Sequence, residues 1–347
     1  MRYRLFGRGT GLRVSELALG GALFGTAWGY GIEPGEARRI LEAYADAGGN
    51  FIDTSDSYQF GQSETIVGDF LVDHRDEFIV ASKYTLGAEP DAHVLRTGNN
   101  RKNMVRSIEA SLKRLKTDRV DLYWVHMDDG VTRMEEIVRG LDDLVRAGKI
   151  LYVGLSDFPA WRVARAQTIT ELRGWAPVIG LQIEYSLAER TPDRELLPMA
   201  WAFGLGIAAW SPLGGGLLAG KYRRGEEGRA TTFGAVVHME NDSRKAASVD
   251  ALLAVAGEAG ATPSQAALAW LTSRGIIPII GPRTSHQLMD NLGAVGLALS
   301  SDQLARLDAA SAVPLGFPLD FLAGPMQNVR LAGGHPEKID KPISPAD

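Results

Sequence analysis

Four residues in this chain could do chemistry together. In NFIDTSDSY an apolar start gives way to Asp53 and then to Tyr58; EFIVASK ends on Lys83 and VDLYWVH ends on His126. Singly, each has an ordinary explanation: Asp53 as a helix cap, Tyr58 as a packed aromatic, His126 as a satisfied core histidine. As a set they do not, because a lone charge at the end of an apolar run is costly to bury. An ammonium near a phenol favours the phenolate, so Lys83 is expected to pull the Tyr58 pKa down from about 10. Asp53 would keep Lys83 charged. A phenol tuned in this way protonates an oxygen that gains charge, and His126 can give that oxygen a second hydrogen bond. The reaction implied is reduction of a carbonyl; a Schiff base on Lys83, as in a barrel lyase or isomerase, is the rival chemistry.

These groups meet only if the runs carrying them are neighbouring parallel strands. Short apolar runs recur at 15–21, 50–55, 77–83, 120–126, 150–156, 178–184, 206–212 and 276–281, and they do not alternate apolar with polar, as expected of parallel strands covered on both faces. Amphipathic stretches lie between them. In RKNMVRSIEASLKRLK, Met104, Val105, Ile108, Leu112 and Leu115 are assigned to one helical face. Thr262, Pro263, Ser264 and Gln265 form a capping box with proline at the first helical position. Repeated strand and helix units of this number suit an α/β fold of the closed (β/α)8 TIM barrel type better than an open doubly wound sheet. The whole chain, 1–347, is then one domain, with Asp53, Lys83 and His126 at the carboxyl-end rim where barrel sites form. Residues 3–15 read as an N-terminal β-hairpin plugging the barrel bottom. The stretches 84–103 and 213–247 and the Pro/Gly-rich tail 312–347 are too long to be simple connections, and long loops are expected at the mouth.

Composition narrows the function classes. Apolar residues make up 45% and charged residues 23%, an ordinary globular balance, and the net charge is -5 with no basic block, so nucleic acid and anionic membranes are not expected partners. The absence of cysteine removes disulfides, thiol nucleophiles and Cys-based metal sites. The remaining histidines, His74, His93, His238, His286 and His335, show no metal spacing and read as solvated or capping. No apolar stretch approaches a signal peptide or a membrane span, so a cytoplasmic location is expected. Nothing in the sequence speaks to oligomeric state.

The glycines after the seventh run invite two nucleotide readings. Gly215, Gly220 and Lys221 fit a phosphate loop, but Tyr222 stands where a small hydroxyl is needed. Gly214, Gly216 and Ala219 fit a dinucleotide fingerprint, yet no ribose-binding acid follows. A flexible turn beside the mouth is the better reading, in a place where barrels often contact phosphate.

The stretches NFIDTSDSYQFGQSE, IVASK and DLYWVH, together with IIGPRTSHQLMDN, resemble those of the aldo-keto reductase family from the LALGG strand to the last helices. That resemblance implies a catalytic set of Asp53, Tyr58, Lys83 and His126 and NADPH-dependent reduction of an aldehyde or ketone by hydride transfer, with Tyr58 as proton donor. It places the cofactor against Gly21, Ala22, Asp53, Ser156, Asp157, Gln182 and Trp210, with Trp210 as the aromatic that stacks on nicotinamide. Ser211, Pro212, Leu213, Gly214, Gly215 and Lys221 would cover the pyrophosphate. Gly281, Arg283, Gln287, Asp290 and Asn291 would hold the adenine end, where a guanidinium at the helix start near Thr284 and Ser285 suits a 2′-phosphate. Two departures stand out: Asp157 replaces a frequent asparagine and, when ionised, only accepts hydrogen bonds, and Trp210 replaces a commoner tyrosine. Phe24, Trp28 and Tyr30 are expected to wall a substrate pocket, with Tyr84 and Met127 nearby. The substrate class implied is a hydrophobic, keto-sugar or secondary-metabolite carbonyl compound. A non-catalytic subunit like the potassium channel β subunits of the same barrel is the alternative.

Overall fold

The computed structural model describes residues 1–224, 238, 240 and 243–339. Much of the 213–247 stretch and the last eight residues of the tail, 340–347, lie outside the described residues.

Each expected apolar run becomes a strand. An antiparallel pair, β1 (Tyr3–Leu5) and β2 (Arg13–Ser15), precedes β3 (Ala18–Gly20), β4 (Phe51–Asp53), β5 (Ile79–Tyr84), β6 (Val120–Val125), β7 (Ile150–Ser156), β8 (Val178–Glu184), β9 (Gly206–Trp210) and β10 (Ile277–Ile280). Strands β3 to β10 are parallel and close into a barrel, with β10 paired to β3. The outer helices include α1 (Pro34–Asp46), α2 (Gln62–Leu71), α3 (Arg101–Leu115), α4 (Met134–Arg146), α5 (Ala160–Arg173), α6 (Leu196–Ala202), α7 (Ser243–Glu258), α8 (Pro263–Ser273), α9 (Ser285–Leu292) and α10 (Ser301–Ser311). Within α3, Met104, Ile108 and Leu115 are buried as their spacing demands, whereas Val105 sits a quarter turn off that face and is 40% exposed. At α8 the capping box forms in both directions between Thr262 and Gln265. Among the described residues, no helix is long and apolar enough to cross a membrane.

A separate inner core fills the barrel: Phe6, Val14, Phe51, Ala81, Leu122, Trp124, Ile179, Ala208 and Ile277 pack against one another. Phe6, carried in by the hairpin, stands edge-on to Phe51 and Trp124. Space for these rings comes from glycines. A Cβ on Gly180 would lie 2.5 Å from the Phe6 ring, one on Gly206 2.7 Å from it, and one on Gly154 2.2 Å from Trp124. The hairpin therefore seals the bottom, as expected, by filling volume that the strands leave open.

Since Trp124 is fully buried and packed against Phe6 in the inner core, Gly154→Ala is expected to destabilise the fold by about 1–3 kcal/mol through overpacking, read as a lowered denaturation midpoint at unchanged m-value.

Candidate active site

The carboxyl ends of adjacent strands bring the ionisable groups together. Asp53 ends β4 and Lys83 is the next-to-last residue of β5; the Lys83 ammonium makes a short ion pair with Asp53 Oδ2 and donates to the Thr54 carbonyl at 3.0 Å and to the Tyr58 hydroxyl at 3.0 Å. Lys83 is wholly buried and its ammonium lies 4.6 Å from the centre of the Tyr58 ring. From the far side of the barrel, Gln182 on β8 donates to Asp53 Oδ1 at 2.8 Å. His126, just after β6, stands edge-on to Tyr58 with ring centres 5.6 Å apart.

Electrostatics here is a contest between burial and neighbours. Burial works against the Lys83 ammonium, but Asp53 and Tyr58 outweigh it and its pKa rises, so the group stays charged. At Tyr58 burial raises the pKa; Lys83 pulls it down and Asp53 pushes it up, and the net direction is upward. The expected depression of the phenol is thus corrected: Lys83 acts in that direction, but desolvation of a phenolate is the larger effect. Tyr58 is held as a neutral phenol, a proton donor. Burial and the Lys83 charge hold the His126 pKa well below that of a free imidazole, so this ring is neutral near pH 7.

Tyr58 is presented by a strained loop. Gln59 and Phe60 have φ of 50° and 52°, and Gly61 follows at 88°, a left-handed run that non-glycine residues adopt only when tertiary contacts enforce it. The contacts are amide side chains. Gln59 donates to the Ala22 and Tyr30 carbonyls and accepts from the Trp28 N–H, while Gln62 accepts from Thr26 and Ala27. Together they fasten the segment after β3 over the tyrosine, so that Trp28 packs edge-on to Tyr58 at 6.1 Å. Nothing in the local sequence separates these glutamines from solvated ones.

Asp53, Tyr58 and His126 line a cleft of about 560 Å³, with Lys83 buried behind them, and the cleft runs from Trp28 and Tyr58 past Ser156, Asp157, Gln182 and Trp210 to Ser211, Pro212, Leu213, Gly215 and Lys221, and on to Gly281, Arg283, Gln287, Asp290 and Asn291. Ala22 and Tyr30 also line it, whereas Gly21 and Gly214 lie behind the wall. Register sets Ser156 opposite Gln182 on β7 and β8. Because the Gln182 amide nitrogen is engaged by Asp53, its carbonyl oxygen is the atom left for a ligand. Asp157, at φ 52°, accepts from the Trp210 indole at 3.1 Å and from Ser156 at 3.4 Å. Burial lifts its carboxyl to about 6, partly offset by those two donors. Gly216, at φ 100°, gives room to Lys221, and the Tyr222 hydroxyl that spoils the phosphate-loop pattern bonds to the Gly215 carbonyl and closes the turn.

At the far end Arg283 stacks its guanidinium on Tyr30, 4.4 Å from the ring centre. The start of α9 is less open to an anion than expected, because Glu36 accepts from both the amide and the hydroxyl of Ser285, and Thr284 caps Gln287. Asp290 directs Oδ1 to Thr262 and Gln265 of α8. The expected substrate wall needs further correction. Phe24 and Tyr84 are fully buried in the core between strands and helices, Tyr84 stacking on Tyr123, and Met127 does not reach the cleft. Their place is taken by Leu23 and by Glu184, which pairs with His238 at 2.9 Å. His238, read as solvated or capping, is a cleft residue; His93 does cap, accepting from the Leu95 amide.

Comparison with known proteins follows the same lines. A model of the aldo/keto reductase family matches residues 16–312. The chain is 36% identical over 361 aligned residues to an aryl-alcohol dehydrogenase [NADP(+)] of Phanerodontia chrysosporium, covering 97% of this chain and 93% of the relative. It is 34% identical over 331 residues to norsolorinic acid reductase of Aspergillus flavus, covering 92% and 84%.

Removing one member of the buried ion pair strands the other. Lys83→Met is expected to lower stability by about 3–5 kcal/mol in denaturant titration, and adding Asp53→Asn to restore much of it; equal stability of the single and double variants would contradict a charge stranded at Asp53.

Proposed function

This chain belongs to the aldo/keto reductase family, and we propose that it reduces an aryl aldehyde or ketone with NADPH, Tyr58 giving the proton. The observation that carries the reading is the 3.0 Å approach of a buried, Asp53-paired Lys83 ammonium to the Tyr58 hydroxyl at the wall of a long cleft. Such an ammonium stabilises the phenolate that remains once the proton has gone, while the phenol stays protonated at rest. Neutral His126 contributes an N–H to the same oxygen. Aromatic surfaces of Trp28, Tyr58 and Trp210 favour a flat, apolar substrate over a sugar, in keeping with relatives named for an aryl alcohol and for norsolorinic acid.

The cleft suits a nicotinamide dinucleotide by its chemistry. Ser156 Oγ and the free carbonyl oxygen of Gln182 complement a carboxamide, Trp210 offers an indole face, and Asp157 can accept from an amide N–H. Lys221 and Arg283 place two cations along the remainder. Gly281 has open space where a Cβ would stand, which leaves room for a ligand. When bound, the cofactor supplies hydride to the carbonyl carbon. With Ser285 already satisfied by Glu36, preference for a 2′-phosphate rests on the Arg283 guanidinium.

A panel of aryl aldehydes, aryl ketones and keto sugars, followed by loss of NADPH absorbance, tests the reading: turnover is expected for the aryl compounds, and none across the panel would refute it. Tyr58→Phe should lower kcat by about 10²-fold or more with NADPH affinity near that of the parent, and a variant retaining most of its rate would remove Tyr58 as donor. Arg283→Ala should weaken NADPH about tenfold or more and NADH little; equal losses would show that Arg283 does not read the phosphate.

A further inference from the structure

Behind His126 lies a buried group that the reaction as described does not use. His126 turns Nδ1 toward Ser55 Oγ at 3.2 Å, which leaves Nε2 for the cleft, and Ser55 Oγ in turn lies 3.3 Å from Asp56 Oδ1. Ser55 and Asp56 are both buried. The Ser55 oxygen also accepts from the Ser57 amide at 3.3 Å and lies 3.0 Å from the Ser57 hydroxyl. A hydroxyl has one proton to give. Given to Asp56, it obliges His126 to donate from Nδ1; given to His126 Nδ1, it leaves the imidazole proton on Nε2.

We propose that Asp56, acting through Ser55, sets which nitrogen of His126 carries the proton and so switches His126 between donor and acceptor toward the cleft. Asp56 is a positioning residue in this scheme, and the proposal rests on the reading of His126 as a donor to the substrate oxygen. With Asp56 protonated, its O–H donates to Ser55, Ser55 donates to Nδ1, and Nε2–H faces the substrate. With Asp56 ionised, one proton has left the carboxyl, the Ser55 hydroxyl turns to the carboxylate, and the imidazole proton moves from Nε2 to Nδ1 by exchange with water. The ring then offers the substrate oxygen a lone pair, which repels it.

The surroundings place this change in an accessible range. Asp56 faces Glu64 of α2, Arg114 of α3, and the phenols of Tyr84 on β5 and Tyr123 on β6. Burial and the Glu64 charge raise the Asp56 carboxyl, Arg114 and the Ser55 and Ser57 donors oppose them, and the balance lies at about 7. Glu64 is itself held by Arg114 at 2.7 Å and by Ser82. Both phenols are pushed well above their usual range, chiefly by burial, and stay neutral throughout. Lys83 faces His126 and disfavours its cationic form, so the ring exchanges tautomers without gaining charge.

The test is ¹⁵N NMR of the imidazoles in the full chain, with His126 assigned by the loss of its signals in His126→Gln. Between about pH 5.5 and 8.5 the ring is expected to pass from the Nε2–H to the Nδ1–H tautomer with a midpoint near 7, and Asp56→Asn, whose amide can donate to Ser55 as the protonated acid does, to hold Nε2–H throughout. Ser55→Ala breaks the relay and should abolish the pH dependence even if Asp56→Asn does not fold. One tautomer across the range in the parent chain, or an undiminished switch in Ser55→Ala, would overturn the proposal. The same titration in Tyr58→Phe needs no turnover, so a failed reductase assay and a failed relay are told apart. In an active enzyme kcat is expected to fall by about tenfold across the step, with little change in KM for NADPH, and the step to vanish in Asp56→Asn.

Discussion

A carboxylate and an ammonium shut away from water on neighbouring strands are the constraint around which the rest is arranged. Neither charge is tolerable alone, and both are satisfied only at one geometry, with Asp53 receiving Lys83 on one oxygen and Gln182 on the other. The pair ties β4 to β5, and Gln182 reaches across from β8, so the network spans the barrel and fixes the rim of three strands at once. Tyr58 is positioned by this network as much as by its own loop. A shift of the Lys83 ammonium would remove the donor to the phenol, the partner of Asp53 and the charge that adds to burial in keeping His126 neutral.

The barrel was legible because its strands are covered on both faces and so read as unbroken apolar runs, each stopping where the chain meets the cleft. The rim residues were legible for the same reason: a polar group ending such a run has nowhere to go but the mouth. Side-chain direction within the rim was not. Tyr84 follows Lys83 directly, and strand alternation sends it outward to stack on Tyr123 while Lys83 points in. Phe24 falls to the core because the segment after β3 folds back on itself, bridging to Ile32. Glu184 and His238 come from segments 54 residues apart, and no short-range pattern announces such a pairing.

Polar residues in NFIDTSDSYQFGQSE sort into distinct tasks that their types alone do not reveal. Asp53 anchors the ammonium, Ser63 links Thr54 to the Gly21 carbonyl, and Gln59 and Gln62 hold the segment after β3 by hydrogen bonds between their side-chain amides and its backbone. Burial is the largest influence on the carboxyls of Asp157, moved to about 6, and Asp56, moved to about 7, whereas at Lys83 the neighbours together outweigh it. At Tyr58 neighbouring charges do not decide the outcome, since the same packing that creates the pocket also disfavours a phenolate within it.

The hairpin and Phe6 have a consequence for traffic. Among the described residues the barrel's base is stoppered by an aromatic ring wedged against glycines, so the barrel is a cul-de-sac and the rim is approached from the mouth, not from below.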